Sequence, residues 1–124
     1  MTAEELVARA ESAAANAYAP YSNYHVGATV LTADGRLYDG VNVENAAYPL
    51  GICAEKTAIG KAASEGVRPG GIEAIGITAS PCGGCRQWLH EWRVERVCFR
   101  REDGTIAEHA PVDLLPEAWT LPKP

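Results

Sequence analysis

The chain has 124 residues, of which 47% are hydrophobic and 22% are charged, and its net charge is −5. This composition is typical of a single globular domain over residues 1–124, and the negative charge argues against a nucleic-acid polymer as partner, because such binding relies on clustered lysine and arginine. No apolar run approaches the roughly 20 residues that a membrane span needs, and the acidic, alanine-rich start resembles neither a secretory signal nor a transit peptide. We therefore expect a cytoplasmic protein that does not bind a membrane.

The N-terminal segment is predicted to be an amphipathic helix. Thr2 followed by Glu5 is a capping box, which places the start of the helix. Small apolar residues then recur at helical spacing until Pro20 stops the run.

A β-hairpin is predicted after this helix. Residues 25–33 and 36–43 are strand-like, and they flank Asp34 and Gly35. This dipeptide is the favoured sequence for a two-residue hairpin turn.

The rest of the chain alternates between helical and strand-like segments, and it ends with a weak strand and a short C-terminal segment. The pattern predicts a helix over residues 54–63, a strand over 72–78, a turn and a helix over 81–92, and another strand over 95–100. Strand–helix–strand connections of this length favour neighbouring parallel strands with helices covering the sheet. The expected fold class is α/β, a three-layer α/β/α sandwich with a mixed five-stranded sheet.

Three of the four cysteines fall where a loop enters a predicted helix. In a reducing compartment, closely spaced cysteines indicate metal or redox chemistry. Cys82 and Cys85 form a C-x-x-C pair, which by itself fits a zinc site and a redox dithiol about equally well. The fourth cysteine, Cys98, lies in an apolar strand-like run and is interpreted as a buried small hydrophobic residue.

Cys53 favours zinc over redox chemistry. A third sulfur from a second helix start would leave the fourth position of a tetrahedral zinc open to water, as in a catalytic site. Glu55 lies two residues farther along the helix, and because side chains at i and i+2 do not face each other, it is better placed to hydrogen-bond the water than to bind the metal. Three thiolates and Zn²⁺ sum to −1, so we expect the two helix N-termini and Arg86 to donate hydrogen bonds to the sulfurs.

Several segments together resemble the small, homotetrameric cytidine deaminases of pyrimidine salvage. They are YAPYSNYHVGA (18–28), DGVNVENAAY (39–48), CAEKTAIGKAASEG (53–66), SPCGGCRQ (80–87) and LLPEAW (114–119). The likeness runs nearly end to end, and C-A-E with P-C-x-x-C is the three-cysteine form of the zinc deaminase signature. It implies one Zn²⁺ per chain and a homotetramer in which neighbouring chains complete each active site.

The resemblance implies a role for each residue near the metal. Cys53, Cys82 and Cys85 match the zinc ligands, and Glu55 matches the acid that shuttles protons. Zinc would make hydroxide available for attack on C4 of cytosine, while Glu55 would pass the proton of the water to N3 and would then protonate the departing amine, which leaves as ammonia. Lys56 stands where many relatives have arginine, so we expect it to tune the metal site differently.

Six further matching residues are implied to bind the nucleoside, in the same chain or across a subunit contact. Those of the same chain are Tyr24, which packs on the nucleoside, Asn42 and Glu44, which hydrogen-bond the ribose hydroxyls, and Ala54, whose backbone meets the pyrimidine. Those at subunit contacts, which help complete a neighbour's pocket, are Tyr48 and Trp119.

The expected function is zinc-dependent hydrolytic deamination of cytidine and deoxycytidine to uridine and deoxyuridine, with release of ammonia. A deaminase of a related cytosine nucleoside, such as blasticidin S, is the nearest alternative, but the run N-V-E-N-A-A-Y retains the ribose-binding pair and favours the free nucleoside. A zinc-stabilised binding module without turnover would have no use for Glu55. A dithiol oxidoreductase would leave Cys53 unexplained.

Overall fold

One mixed β-sheet forms the centre of the protein in a computed structural model that describes residues 1–122. Its strands are β1 (Gly27–Thr32), β2 (Leu37–Val41), β3 (Ile72–Ile77), β4 (Arg96–Arg100) and β5 (Ile106–His109), in the spatial order β2-β1-β3-β4-β5. Strands β3 and β4 pair in parallel, and the other neighbouring strands pair antiparallel. The prediction of a mixed five-stranded sheet is confirmed.

Helices cover both faces of the sheet. They are α1 (Ala3–Ala13), α2 (Ala54–Ser64), α3 (Gly83–Glu91) and α4 (Pro111–Leu114). On one face Leu6 and Val7 of α1 pack against Cys98 of β4, so the buried position expected for this cysteine is confirmed. On the other face Ile59 of α2 and Leu89 of α3 belong to a larger apolar cluster. The α/β/α sandwich is therefore confirmed, and none of its helices within residues 1–122 is long and apolar enough to span a membrane.

Helix α1 begins at its capping box, as predicted, but it ends at Ala13 and not at Pro20. After a short 3-10 turn, Tyr18 forms a parallel β-bridge with Val43. Backbone hydrogen bonds to residues 42 and 44 therefore replace the helical hydrogen bonds that the apolar spacing predicted for this part of the chain.

The β1–β2 hairpin has a three-residue loop, so the predicted two-residue turn is wrong. The Thr32 N–H donates to the Arg36 carbonyl at 2.9 Å, and the Gly35 N–H donates to the Thr32 carbonyl at 3.0 Å. Gly35 has a φ of +89°, whereas Asp34 does not have the positive φ that a type I′ turn requires. The loop is a type I turn followed by a left-handed glycine, which is the usual form of a three-residue hairpin loop.

Only one of the two strand–helix–strand connections joins neighbouring strands. Strands β3 and β4 are parallel neighbours, as predicted, whereas β2 and β3 lie on opposite sides of β1. The hairpin holds β2 at the edge of the sheet, so the chain passes over β1 through α2 before it returns as β3. Because β2 and β3 both run antiparallel to β1, their carboxyl ends lie at the same end of the sheet, and α2 and α3 both begin there.

Gly40 of β2 sets the distance between the sheet and helix α2. A Cβ atom at this position would lie 2.4 Å from the Ala58 nitrogen and 2.6 Å from the Ala54 carbonyl oxygen. The obstacle is helix backbone, which cannot rotate away as a side chain can. Glycine therefore allows α2 to lie this close to the sheet, and it fixes the depth at which the first turn of α2 sits.

We expect Gly40→Ala to lower the free energy of unfolding by about 1–3 kcal/mol, because the added methyl group must push α2 away from β2. Gly60→Ala is the matched control on the same helix, since a Cβ there would meet nothing within 4 Å. That variant should raise the free energy of unfolding by about 0.5–1 kcal/mol through a better helix propensity. Urea unfolding of both variants measures these changes, and a Gly40→Ala protein as stable as the parent would contradict the close seating of α2.

Candidate metal centre and active site

Three sulfur atoms meet where α2 and α3 begin. Cys53 is the N-cap residue of α2, Cys82 is the N-cap residue of α3, and Cys85 lies in the first turn of α3. Their Sγ atoms all lie within 4.8 Å of one another, and the Sγ atoms of Cys53 and Cys82 are 3.9 Å apart. The prediction that two helix starts bring these cysteines together is confirmed.

The spacing of the sulfur atoms fits a tetrahedral zinc ion. Zn–S bonds of about 2.3 Å place the sulfurs of a tetrahedral site about 3.8 Å apart, close to the distance between Cys53 and Cys82. All three residues are free cysteines, so each sulfur is available to a metal. The Cys85 N–H donates to the Cys82 sulfur at 3.4 Å, which stabilises a thiolate there. Three protein ligands leave one position of the tetrahedron open.

The electrostatics of the cluster favour a bound cation. Burial raises the pKa of Cys85, and the charges of Glu55 and Cys53 raise it further. Burial raises the pKa of Cys53 in the same way. Burial opposes ionisation of Cys82, but its hydrogen bonds with Cys85 and Cys53 together outweigh burial and lower the pKa of the Cys82 thiol. A divalent cation among these sulfurs would offset the repulsion between the ionised thiols.

Glu55 is a buried carboxylic acid beside the sulfur atoms. Its residue is only 4% exposed. Burial raises the pKa of Glu55, while its own backbone N–H, a hydrogen bond with the Cys85 thiol and the charge of Lys56 oppose that increase. A carboxyl group that holds its proton more tightly than usual is suited to give and take protons near neutral pH.

A cavity of about 320 Å³ opens over the sulfur atoms and Glu55. Cys53, Cys82 and Glu55 are among the residues that line it, and a cavity of this size suits a small molecule. Five of the residues predicted to contact a nucleoside line the same cavity, namely Tyr24, Asn42, Glu44, Tyr48 and Ala54. The fold thus gathers them around one space, although they come from different parts of the sequence.

Asn42 and Glu44 hold the backbone of the loop that precedes β1. Asn42 accepts the Val26 N–H and donates to the Tyr24 carbonyl, each at 2.8 Å. Glu44 accepts two backbone N–H groups of that loop at 3.0 and 3.1 Å, and it also accepts the Ser22 hydroxyl. The Ser22 hydroxyl and these amides hold the pKa of Glu44 below its usual range. The sequence motif did not predict this second role, which fixes both side chains in the cavity wall.

Arg86 binds different partners from those predicted. Its guanidinium donates to the Pro81 carbonyl at 2.9 Å, to the Ser80 hydroxyl at 3.0 Å and to the Leu114 carbonyl at 2.9 Å. The predicted hydrogen bond from Arg86 to a cysteine sulfur is absent from the described part of the chain. The side chain points back along the loop that enters α3, because acceptors on two segments, this loop and the end of α4, match its planar group.

Lys56 and Trp119 lie beside Trp88. The Lys56 ammonium is 6.0 Å from the centre of the Trp88 ring, within reach of a cation–π contact. Trp119 is 67% exposed, and its carbonyl accepts a hydrogen bond from Gln87 at 3.0 Å. Trp119 does not line the cavity of its own chain within the described residues. Its contribution to a neighbour's pocket stays a prediction, as does that of Tyr48, which is 76% exposed.

Known proteins resemble this chain over almost its whole length. A family model described as "Cytidine and deoxycytidylate deaminase zinc-binding region" matches residues 1–101. Cytidine deaminases of Sporosarcina psychrophila and Halalkalibacterium halodurans are each 41% identical over 97% of this chain, covering 93% and 96% of those proteins. The crystal structure of cytidine deaminase from Burkholderia pseudomallei superposes with a TM-score of 0.89 at 41% identity, covering 96% of this chain and 100% of that one.

We expect Glu55→Gln to stabilise the metal-free protein at mildly alkaline pH. Because burial raises the pKa of Glu55, the folded protein binds this proton more tightly than the unfolded chain does. Above the folded-state pKa, folding must bury a charge or take up a proton, and the neutral amide removes that cost. The gain should shrink as the pH falls through the folded-state pKa towards the ordinary value of 4.5, below which the acid is neutral in both states.

Thermal unfolding in the presence of a metal chelator, repeated over a range of pH, measures this effect. Glu95→Gln is the control, because Glu95 is exposed. A Glu55→Gln protein whose melting temperature matched the parent at every pH would show that burial does not raise the pKa of this acid.

Proposed function

Because the chain belongs to the cytidine deaminase family, we propose that it hydrolyses cytidine and deoxycytidine to uridine and deoxyuridine, with release of ammonia. The observation that carries this proposal is a buried acid, Glu55, that lies beside three sulfurs able to hold a metal and lines one cavity with two of the three cysteines. A binding module without turnover would gain nothing from an acid at this position, since burial makes its charged form costly.

The reaction requires one group that moves protons at the cytosine ring. Zinc held by Cys53, Cys82 and Cys85 would supply a Lewis acid that activates water. Glu55 then accepts a proton from the water and delivers it to N3 of the ring, which makes C4 electrophilic. The water oxygen bonds to C4, and the same carboxyl group then takes the second proton of that oxygen and passes it to the amine, so that the C4–N bond breaks, ammonia leaves and C4 keeps a carbonyl oxygen. A single positioned side chain can act as base and then as acid, and its raised pKa suits both steps.

We propose that Asn42 and Glu44 bind the ribose hydroxyls. Their hydrogen bonds to the preceding loop fix them in the cavity wall and leave further capacity. The Asn42 amide has a second N–H, and the carboxylate oxygens of Glu44 have further lone pairs. Tyr24 lines the same cavity and would pack on the nucleoside, while the Ala54 backbone would meet the pyrimidine.

The charge of the cavity favours a nucleoside over a nucleotide. Among the described residues that line it there is no lysine, arginine or histidine, whereas Glu44 and Glu55 both line it. Proteins usually hold a phosphate with arginine or lysine side chains, and carboxylates repel it. The unphosphorylated nucleoside is therefore the better substrate.

We further propose that the protein is a homotetramer that serves pyrimidine salvage in the cytoplasm. Its solvent-exposed aromatic residues Tyr48 and Trp119 are 76% and 67% exposed in the single chain, and they are the residues that would complete a neighbour's pocket. A reducing compartment suits the site, because the three sulfurs must stay free of disulfides to bind a metal.

We expect the purified protein to convert cytidine and deoxycytidine, as followed by ultraviolet absorbance and ammonia release. The corresponding 5′-monophosphates should give a kcat/KM at least about 100-fold lower, because their charge would lie near Glu44. Failure to convert both nucleosides would contradict the proposed function, and turnover of blasticidin S alone would identify a different cytosine nucleoside as the substrate. Efficient turnover of the monophosphates would show that the charge of the cavity does not select the substrate.

We expect Glu55→Gln to keep about one zinc per chain and to lose about 10²–10⁴-fold in kcat, because the amide cannot carry a proton. Metal analysis and steady-state kinetics on the same preparation separate these two properties. Glu95→Gln is again the control and should match the parent in both. Normal turnover by Glu55→Gln would exclude it as the proton carrier.

A further inference from the structure

The loop that leads from β3 into α3 carries one metal ligand and one wall of the cavity. Ser80 lines the cavity, and Cys82 follows Pro81 directly at the start of the helix. Any displacement of this loop would therefore move a sulfur atom and the cavity wall together.

Arg86 makes the hydrogen bonds that hold this loop. In the part of the chain that the structure describes, the hydrogen bonds to residues 79–81 come from Arg86 alone, through the Ser80 hydroxyl and the Pro81 carbonyl. The third bond of the same guanidinium goes to the carbonyl of Leu114, the last residue of α4. The Leu114 side chain packs against the apolar cluster beneath α2 and α3, so this end of the clamp is anchored in the core.

We propose that Arg86 is a positioning residue that clamps the loop of residues 79–81 to the end of α4 and thereby sets Cys82 for metal binding. It acts through the loop and not through contact with a sulfur. The planar guanidinium suits this task, because its three nitrogens donate in fixed directions to acceptors on separate segments. A lysine at this position has one nitrogen on a flexible stem and cannot reach all three acceptors with the same geometry.

The proposal rests on the zinc site and not on the identity of the nucleoside. The decisive measurement is therefore zinc affinity, determined by competition with a chromogenic chelator in the absence of any nucleoside. The melting temperature of the metal-free protein is measured alongside, because a purely structural arginine would change only that temperature.

We expect Arg86→Lys to weaken zinc binding by about 10–100-fold, the usual effect of losing a group that orients a metal ligand. Arg100→Lys is the matched control. Arg100 also donates from all three guanidinium nitrogens, to Glu11 and to the Gly104 carbonyl, but these partners do not line the cavity. That variant should bind zinc as the parent does.

Ser80→Ala provides a second, milder test that removes one of the three bonds. We expect it to weaken zinc binding about two- to tenfold. In a protein that already carries Arg86→Lys, the further loss of zinc affinity should be smaller than this, since both changes loosen the same loop. The proposal is overturned if zinc affinity in Arg86→Lys and Ser80→Ala equals that of the parent, including the case in which only the melting temperature falls. Fully additive losses would also overturn it, because they would show that the two residues act independently.

Discussion

The repulsion between four acidic groups is the constraint on which the rest of this site depends. Three thiols and the carboxyl group of Glu55 meet at the starts of two helices. Burial raises the pKa of Glu55, and burial together with neighbouring negative charge raises the pKa of two thiols, Cys53 and Cys85. Such an arrangement does not stabilise the folded protein. It persists because packing elsewhere holds the two helix starts in place, with Gly40 seating α2 against the sheet and the loop before α3 attached by Arg86.

The two faces of the sheet have different roles. Helix α1 covers one face with an apolar contact, whereas α2 and α3 cover the other face and begin at the same end of the sheet. Metal ligands at helix N-termini are favourable, because free backbone N–H groups and the helix dipole stabilise negative charge there. The N–H of Cys85 that donates to the Cys82 sulfur is one instance of this effect.

Features that depend on local sequence could be predicted, and features that depend on distant parts of the chain could not. The capping box, the order of the elements and the C-x-x-C pair at the start of α3 are local, and the structure confirms them. The length of the hairpin loop, three residues and not two, depends on the register in which β1 and β2 pair. The position of β2 at the edge of the sheet, on the other side of β1 from β3, depends on how all the strands assemble. Arg86 binds Leu114, which lies 28 residues away, so no local pattern identifies that partner.

With Arg86 engaged by the loop, the positive charge near the thiolates has to come from other groups. Helix N-termini supply part of it directly, through N–H groups such as that of Cys85. The charge of Lys56 acts on Glu55, where it opposes the increase in pKa, while its ammonium lies over the face of Trp88 and makes no hydrogen bond to a sulfur within residues 1–122. A charge in this position changes the electrostatic potential of the site but does not fix the position of any sulfur. In this chain, therefore, charge compensation at the sulfurs and ligand positioning fall to different groups, the former to the helix N-termini and the latter, by our proposal, to Arg86.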